Sequence, residues 1–295
     1  MTQDASSAPG AAPKFDVLTD DGFDLYQDLM HDVPVVPFGL HFGEETFESN
    51  GMPLEELFRR LESGGPHPST SQPNPEAFAV HYRQATRPLL VITLSSALSG
   101  SYNSAMQAKA MVPEADVTVH DAGTLSAAQS FQLHAALTAR ARGESIETAL
   151  TWMKQVHEET ELFFTLDTLT YLRRGGRIGR VAAALGGVLN VRPVVTVDKS
   201  TAAYETVGRA RSWSKAREVI AQQSTKRFGA GTPLRVGLVQ GFDAEDVNAV
   251  LGHLQAEHPI VWHGVAKVGS ALAIHTGPKA VAYAVAPHDW PWDRT

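Results

Sequence analysis

Residues 89–94, Leu-Leu-Val-Ile-Thr-Leu, form a continuous apolar run with no alternation, followed at once by the small-residue turn Ser95-Ser-Ala-Leu-Ser-Gly100. An unbroken apolar run of this length, ended by small residues and not charges, is the signature of a strand buried on both faces. Strands of that kind occur in parallel sheets covered by helices on each side. The run therefore demands partners of the same kind, and the flanking sequence supplies them. Residues 15–20 and 117–120 read as further short strands, and residues 76–84, 101–111 and 124–142 as the helices between them. Strand–helix alternation of this sort gives a three-layer α/β/α arrangement for the first half. Residues 33–42 are rich in β-branched and aromatic side chains but carry two prolines, which demotes them to an edge or irregular strand. A helix is expected over 52–62, opened by Pro53 and closed by Gly64-Gly65. Residues 67–75, His-Pro-Ser-Thr-Ser-Gln-Pro-Asn-Pro, read as loop throughout.

After a helix over 146–158 the pattern changes. Strands are expected at 162–166, 192–197, 203–207, 234–239, 260–262 and 280–285, with helices only at 214–228 and 244–257. Strands that follow one another without helices point to a mixed sheet, so the second half reads as α+β. At 295 residues, two domains are the natural division. We place a disordered tail at 1–13, an N-terminal α/β domain at 14–160 and a C-terminal α+β domain at 161–295.

Composition removes several function classes. The chain has no cysteine, which excludes disulfides, thiolate metal sites and cysteine nucleophiles. A net charge of -7 argues against nucleic acid as the main partner. The first thirteen residues lack a basic start and an apolar core, and no apolar run approaches the roughly 20 residues of a membrane helix. A cytoplasmic protein without stable membrane insertion is expected.

Sequences of parallel strands place ligands at their carboxyl ends, where Ser95 and Ser96 fall. Hydroxyls and backbone N–H groups ahead of a helix suit an anion such as a carboxylate or phosphate. The same turn equally reads as a helix cap provided by Ser99. Thr70, Ser71 and Gln72 offer a second group of hydroxyls and an amide, or else Asn74 or Ser71 simply caps the next helix. Residues 172–180, Leu-Arg-Arg-Gly-Gly-Arg-Ile-Gly-Arg, hold Arg174, Arg177 and Arg180 among three glycines and could meet phosphate or an acidic partner. His275 follows an apolar stretch and, taken alone, reads as a satisfied core group. No histidine or carboxylate cluster has metal-ligand spacing, and no cofactor is expected. Ser212-Trp-Ser-Lys215 matches a Ser-x-x-Lys pattern without its companion motifs.

Taken in order, five segments give the chain a clear resemblance. They are Thr70-Ser-Gln-Pro73, Leu94-Ser-Ser-Ala-Leu-Ser-Gly100, Tyr171-Leu-Arg-Arg-Gly-Gly-Arg-Ile178, Leu189-Asn-Val-Arg-Pro193 and His275-Thr-Gly-Pro278. The sequence resembles the DegV family of bacterial fatty-acid-binding proteins over nearly its whole length. The resemblance implies two α/β domains with an acyl chain buried between or within them. It implies a carboxylate held by Thr70 and the Ser96 hydroxyl, with Ser95 adjacent and His275 nearby, in a cleft that Ser71, Gln72, Ser99, Gly100 and Asp20 help to line. Carrier members of the family present the bound acid to a fatty acid kinase for phospholipid synthesis, and Arg174, Arg177 and Arg180 are where that contact is expected. Three positions depart from the family pattern, one of them, Ser101 for threonine after Ser99-Gly100, keeping the hydroxyl. Asp21 follows Thr19-Asp20 where a serine is usual, and Lys279 stands where the family has glycine, which would add a cation near the cleft mouth. A non-catalytic carrier is the first expectation. An enzyme using Ser96 or Asp20 with His275 on a small acyl or phosphorylated substrate, and an acyl-chain sensor without a kinase, are the alternatives.

Overall fold

The structure, a computed structural model, describes residues 12–30, 33–179, 181 and 191–294. Strands β1 (Asp16–Asp20), β2 (Val35–Val36), β6 (Leu89–Thr93) and β7 (Val117–Asp121) form a parallel sheet in the order β2-β1-β6-β7. All five residues of β6 are buried, as its unbroken apolar sequence requires. Its side chains alternate between faces. Val91 joins Leu18, Phe78, Tyr82 and Ala105 under helices α2 (Pro75–Gln84) and α3 (Ser101–Met111), whereas Leu90 and Ile92 join the larger core on the opposite side. Helix α2 starts where Asn74 accepts the Ala77 N–H at 2.9 Å and Pro75 fills the first helical position.

The second sheet contains β8 (Glu161–Leu166), β9 (Arg192–Asp198), β10 (Ala203–Ala210), β11 (Leu234–Gln240), β12 (Ile260–Lys267) and β13 (Ala280–Pro287) in the order β10-β9-β8-β13-β11-β12. Only the β11–β12 pairing is parallel. Its outer face packs on helices α7 (Trp213–Phe228) and α8 (Ala244–Glu257) through Ile220, Val247, Val250 and Leu254. Helices α4 (Ser126–Ala141) and α5 (Ile146–Glu159) occupy the space between the two sheets. Helix α4 touches β1 on one side and β8, β11 and β13 on the other, and eleven of its sixteen residues are buried. The result is an α/β/α/β/α stack, with a parallel sheet in the first half and a mixed sheet in the second.

Several local expectations are corrected. Residues 67–75 are not loop throughout, because Ser69–Ser71 form strand β5. It pairs with β3 (Gly39–Phe42), which also pairs with β4 (Glu45–Glu48), in a three-stranded antiparallel sheet. Three hydroxyl residues carry no apolar signal, so the pairing is set by β3 and not by β5's own propensity. Strand β12 runs on to Lys267, beyond the expected 260–262. Residues Ser270–Thr276 form a short helix, α9, which places His275 on its last turn. Helices α1 (Leu54–Glu62) and α6 (Thr170–Arg174) complete the elements used below.

Candidate functional site

A cavity opens beside the turn that follows β6. Its polar end is lined by Thr70, Gln72, Ser99, Gly100, Arg177 and His275, with Leu94 and Leu98 beneath. This compartment has a volume of about 500 Å³ counted out to its mouth. It shares Leu125, Tyr204, Leu272 and His275 with a second compartment of about 560 Å³, walled by Leu162, Phe164, Leu166, Val239 and Ala282. Leu125 and Ser126 come from the first half of the chain, and the other walls of the apolar compartment from the second.

Thr70 faces inward because β5 alternates, with Ser69 and Ser71 exposed on either side. The Ser71 hydroxyl instead meets His41 Nε2 at 2.9 Å. Thr70 Oγ1 lies 2.9 Å from His275 Nε2. The imidazole Nδ1 is buried and has no partner. Burial, then the neighbouring Arg177 and His67, push the His275 pKa down to about 3, so the ring is neutral at physiological pH. Of the two neutral tautomers, the one with the proton on Nε2 leaves only a lone pair orphaned at Nδ1 and no buried N–H without an acceptor. In that state His275 donates to Thr70, and the threonine O–H is free to donate into the cavity. A close backbone holds the ring in place. A Cβ built on Gly175 would stand 2.1 Å from His275 Nδ1, and one on Gly277 would stand 2.3 Å from the Tyr171 ring.

Arg177 is the cation of this lining. It was expected at a partner contact, but its side chain borders the cavity and one guanidinium N–H donates to the Gly175 carbonyl at 2.7 Å. Arg174 is exposed on α6, and Arg180 lies outside the described residues. The Lys279 ammonium is not at the mouth. It sits 5.5 Å from the centre of the Trp213 ring, at the start of α7.

The serine turn is divided between tasks. Ser95 is fully buried, and its hydroxyl donates to the Ala202 carbonyl at 2.6 Å, tying the turn to the second half. Ser96 is exposed, and its backbone N–H donates to the Asp121 carboxylate at 3.2 Å. Neither side chain lines the compartment that Thr70 enters. Ser99 does line it while accepting the Ser101 N–H at 3.2 Å. Gln72 crosses Gly100, where a Cβ would meet Oε1 at 1.7 Å, and donates to Ser104 at 3.0 Å. Asp20 is fully buried and accepts from Leu94 N–H (3.0 Å), Gly22 N–H (3.1 Å) and Gln129 (3.0 Å), bracing the ends of β1 and β6. Burial raises its pKa. The Ser96–His275 pair of the enzyme reading is thus not assembled: His275 is bonded to Thr70, and Ser96 faces Asp121. Tyr204 was missed from the sequence, where it is one aromatic residue in an ordinary strand with no local motif around it.

Such a cavity, polar with one guanidinium at one end and hydrocarbon-lined at the other, fits an amphiphile with an anionic head. Residues 14–288 match the family model described as "Uncharacterised protein, DegV family". A DegV domain-containing protein of Deinococcus radiodurans is 50% identical over 286 residues, covering 96% of this chain and 99% of that one. Among solved structures, a DegV family protein from Thermus thermophilus, described by its fatty acid binding, superposes with a TM-score of 0.84 at 30% identity, over 93% of this chain and 100% of that one. A stearic acid-binding protein from Eubacterium ventriosum gives 0.83 at 26% identity, over 92% and 98% of the two chains. The order of motifs, the two sheets around a shared helical layer and these matches agree: the chain belongs to the DegV family.

Proposed function

We propose that this protein binds a long-chain fatty acid, with the carboxylate at the Thr70–Arg177 end and the acyl chain in the apolar compartment. The observation that carries this reading is the continuity of the two compartments through Leu125, Tyr204, Leu272 and His275. A head group met by hydroxyls and one guanidinium leads directly into a hydrocarbon-lined space. Burying about fifteen methylenes at ~0.8 kcal/mol each contributes on the order of 12 kcal/mol before the costs of association. Arg177 and the Thr70 hydroxyl keep the buried carboxylate from being unpaired. Fatty acid binding described for the Thermus and Eubacterium proteins supports the same reading.

The protein acts as a carrier and not a catalyst, and it presents its cargo to a fatty acid kinase that makes the acyl phosphate for phospholipid synthesis. Arg174, exposed beside the cavity rim on α6, is the guanidinium we assign to that contact. The test is solvent extraction of the purified protein followed by mass spectrometry. A stoichiometric fatty acid is expected, and Thr70→Ala and Arg177→Met should each weaken retention about tenfold or more. An empty protein that also refuses added fatty acids would overturn the reading. Kinase capture that is lost with Arg174→Glu, with lipid content unchanged, checks the handover.

A further inference from the structure

Four tyrosines of the chain are buried: Tyr26, Tyr82, Tyr204 and Tyr283. Three of them place the phenol on a protein acceptor. Tyr26 donates to the Leu238 carbonyl (3.0 Å), Tyr82 to the Ala105 carbonyl (3.2 Å) and Tyr283 to the Ile220 carbonyl (2.7 Å). A buried tyrosine without such a partner is uncommon, because an orphaned hydroxyl forfeits its hydration for nothing. Tyr204 is the exception. Its ring is fixed edge-on against Phe164, with centroids 5.2 Å apart, and its hydroxyl bonds to no described residue yet is not sealed away, keeping access to the cavity the residue lines. The same residue borders both compartments, on the boundary, or waist, that they share with Leu125, Leu272 and His275.

From this we infer that Tyr204 is a head-group-positioning residue, its phenol donating to the ligand's carboxylate at the waist and so fixing where the acyl chain begins. The inference rests on the fatty acid reading above and deepens it. An acyl chain lying across the waist would cover the phenol and give it no acceptor. A carboxylate there gives it one, and Arg177, which lines the same compartment, supplies a cation. Carbon 2 and everything beyond then pass Leu125 and Leu272 into the apolar space. The arrangement also discriminates among ligands of equal length. An anionic acceptor strengthens the phenol's hydrogen bond, whereas a neutral alcohol of the same chain gains much less.

The experiment compares a C18 fatty acid with the C18 primary alcohol on the full chain and on Tyr204→Phe, which keeps the ring and its contact with Phe164. Acid affinity should fall about ten- to a hundredfold. Alcohol affinity should change by less than about threefold, and the melting temperature of the ligand-free protein should not fall. Tyr204→Leu, which also removes the ring, should weaken both ligands and marks what a purely packing role looks like. If Tyr204→Phe binds the acid as the parent does, with the same acid-to-alcohol ratio, the phenol's partner is water and the inference fails while the carrier reading stands. If the parent chain itself binds no acid, the carrier reading has failed instead.

Discussion

Asp24 sits fully buried at the centre of the junction between the two sheets, one turn after Asp20 and Asp21. Its carboxylate accepts the Ser126 hydroxyl, from a residue that also lines the apolar compartment, and the Gly269 N–H at 3.1 Å, at the head of the helix that carries His275. No cation pairs with it among the described residues. Burial, followed by the Asp21 charge and only partly offset by the hydrogen bonds, raises its pKa to about 7, and burial likewise lifts Asp21 to about 6. A carboxyl whose folded pKa lies above its unfolded value stabilises the fold fully below about pH 4 and loses that contribution as pH rises through the folded pKa. For Asp24 the loss has an upper bound of about 4 kcal/mol, at ~1.4 kcal/mol per pKa unit. His275 works in the opposite sense. Its depressed pKa gives stability that is present above about 6.5 and declines as pH falls toward about 3. Asp24→Asn keeps an acceptor for Gly269 while removing the charge. Its advantage in melting temperature over the parent should therefore be larger at pH 8 than at pH 5. Equal differences at both pH values would mean that Asp24 does not titrate in the fold. The aspartates were visible in the sequence as strand-end acids, but their burial was not. It comes from a helix and a loop more than a hundred residues away.

The motifs quoted from the sequence acquire their reason at the level of elements. Arg-Arg-Gly-Gly on α6 and His-Thr-Gly-Pro on α9 are distant in sequence, yet the two short helices pack against each other. Gly175 leaves room for the His275 imidazole. Gly277, at φ +78°, ends α9 in a left-handed conformation while the Tyr171 ring covers it. Gly175 itself has an ordinary φ of −76°, so Gly175→Ala adds no backbone strain. Its methyl would instead push the imidazole off Thr70. Fatty acid retention should drop about tenfold, with a smaller effect on melting temperature, as measured by ligand displacement and by thermal scans of the stripped protein. Gly277→Ala meets both obstacles and should destabilise the fold itself. Sequence reading found these elements' chemistry and missed their geometry. The arginine–glycine run reads in sequence as a place for phosphate or an acidic partner, and only the packing of α6 on α9 shows that Arg177 borders the cavity. The serine turn divides its roles for a related reason. Spacing places Ser95 and Ser96 at the strand end, but only the fold shows that the Ser95 hydroxyl is taken by the Ala202 carbonyl and that Ser96 is exposed with its backbone N–H on Asp121.

For the whole molecule, the central fact is that the helical layer belongs to both sheets. The division at residue 160 follows the change from parallel to mixed strands, and it runs along one edge of a single core. Phe131 of α4 illustrates this. It packs edge-on to Trp262 and Trp290 of the second half, with centroids 6.0 and 5.1 Å away. Cross-links between the halves are numerous and at least partly buried: Thr70 to His275, Ser95 to Ala202, Asp24 to Gly269 and Tyr26 to Leu238. Separating the halves would bare α4 on one side and the inner face of β8 and β13 on the other. Each half then loses the burial that offsets its chain entropy. We therefore predict one cooperative unfolding transition. The tryptophans make the test direct. Trp152, Trp262, Trp290 and Trp292 form, with Phe131 and His134, the aromatic cluster around this layer, so fluorescence reports on the contact between halves while far-UV circular dichroism reports on all the helices and sheets. In urea the two signals should share one midpoint. Phe131→Ala should lower that midpoint by the equivalent of about 3–5 kcal/mol without splitting it, and residues 14–160 produced alone should show no cooperative transition. Fluorescence that changes first, followed by a separate loss of secondary structure, would mean that the sheets are independent bodies. The cavity would then have to be held together by its ligand, because the hydrogen bonds from Thr70 to His275 and from Asp24 to Gly269 would be broken in the intermediate.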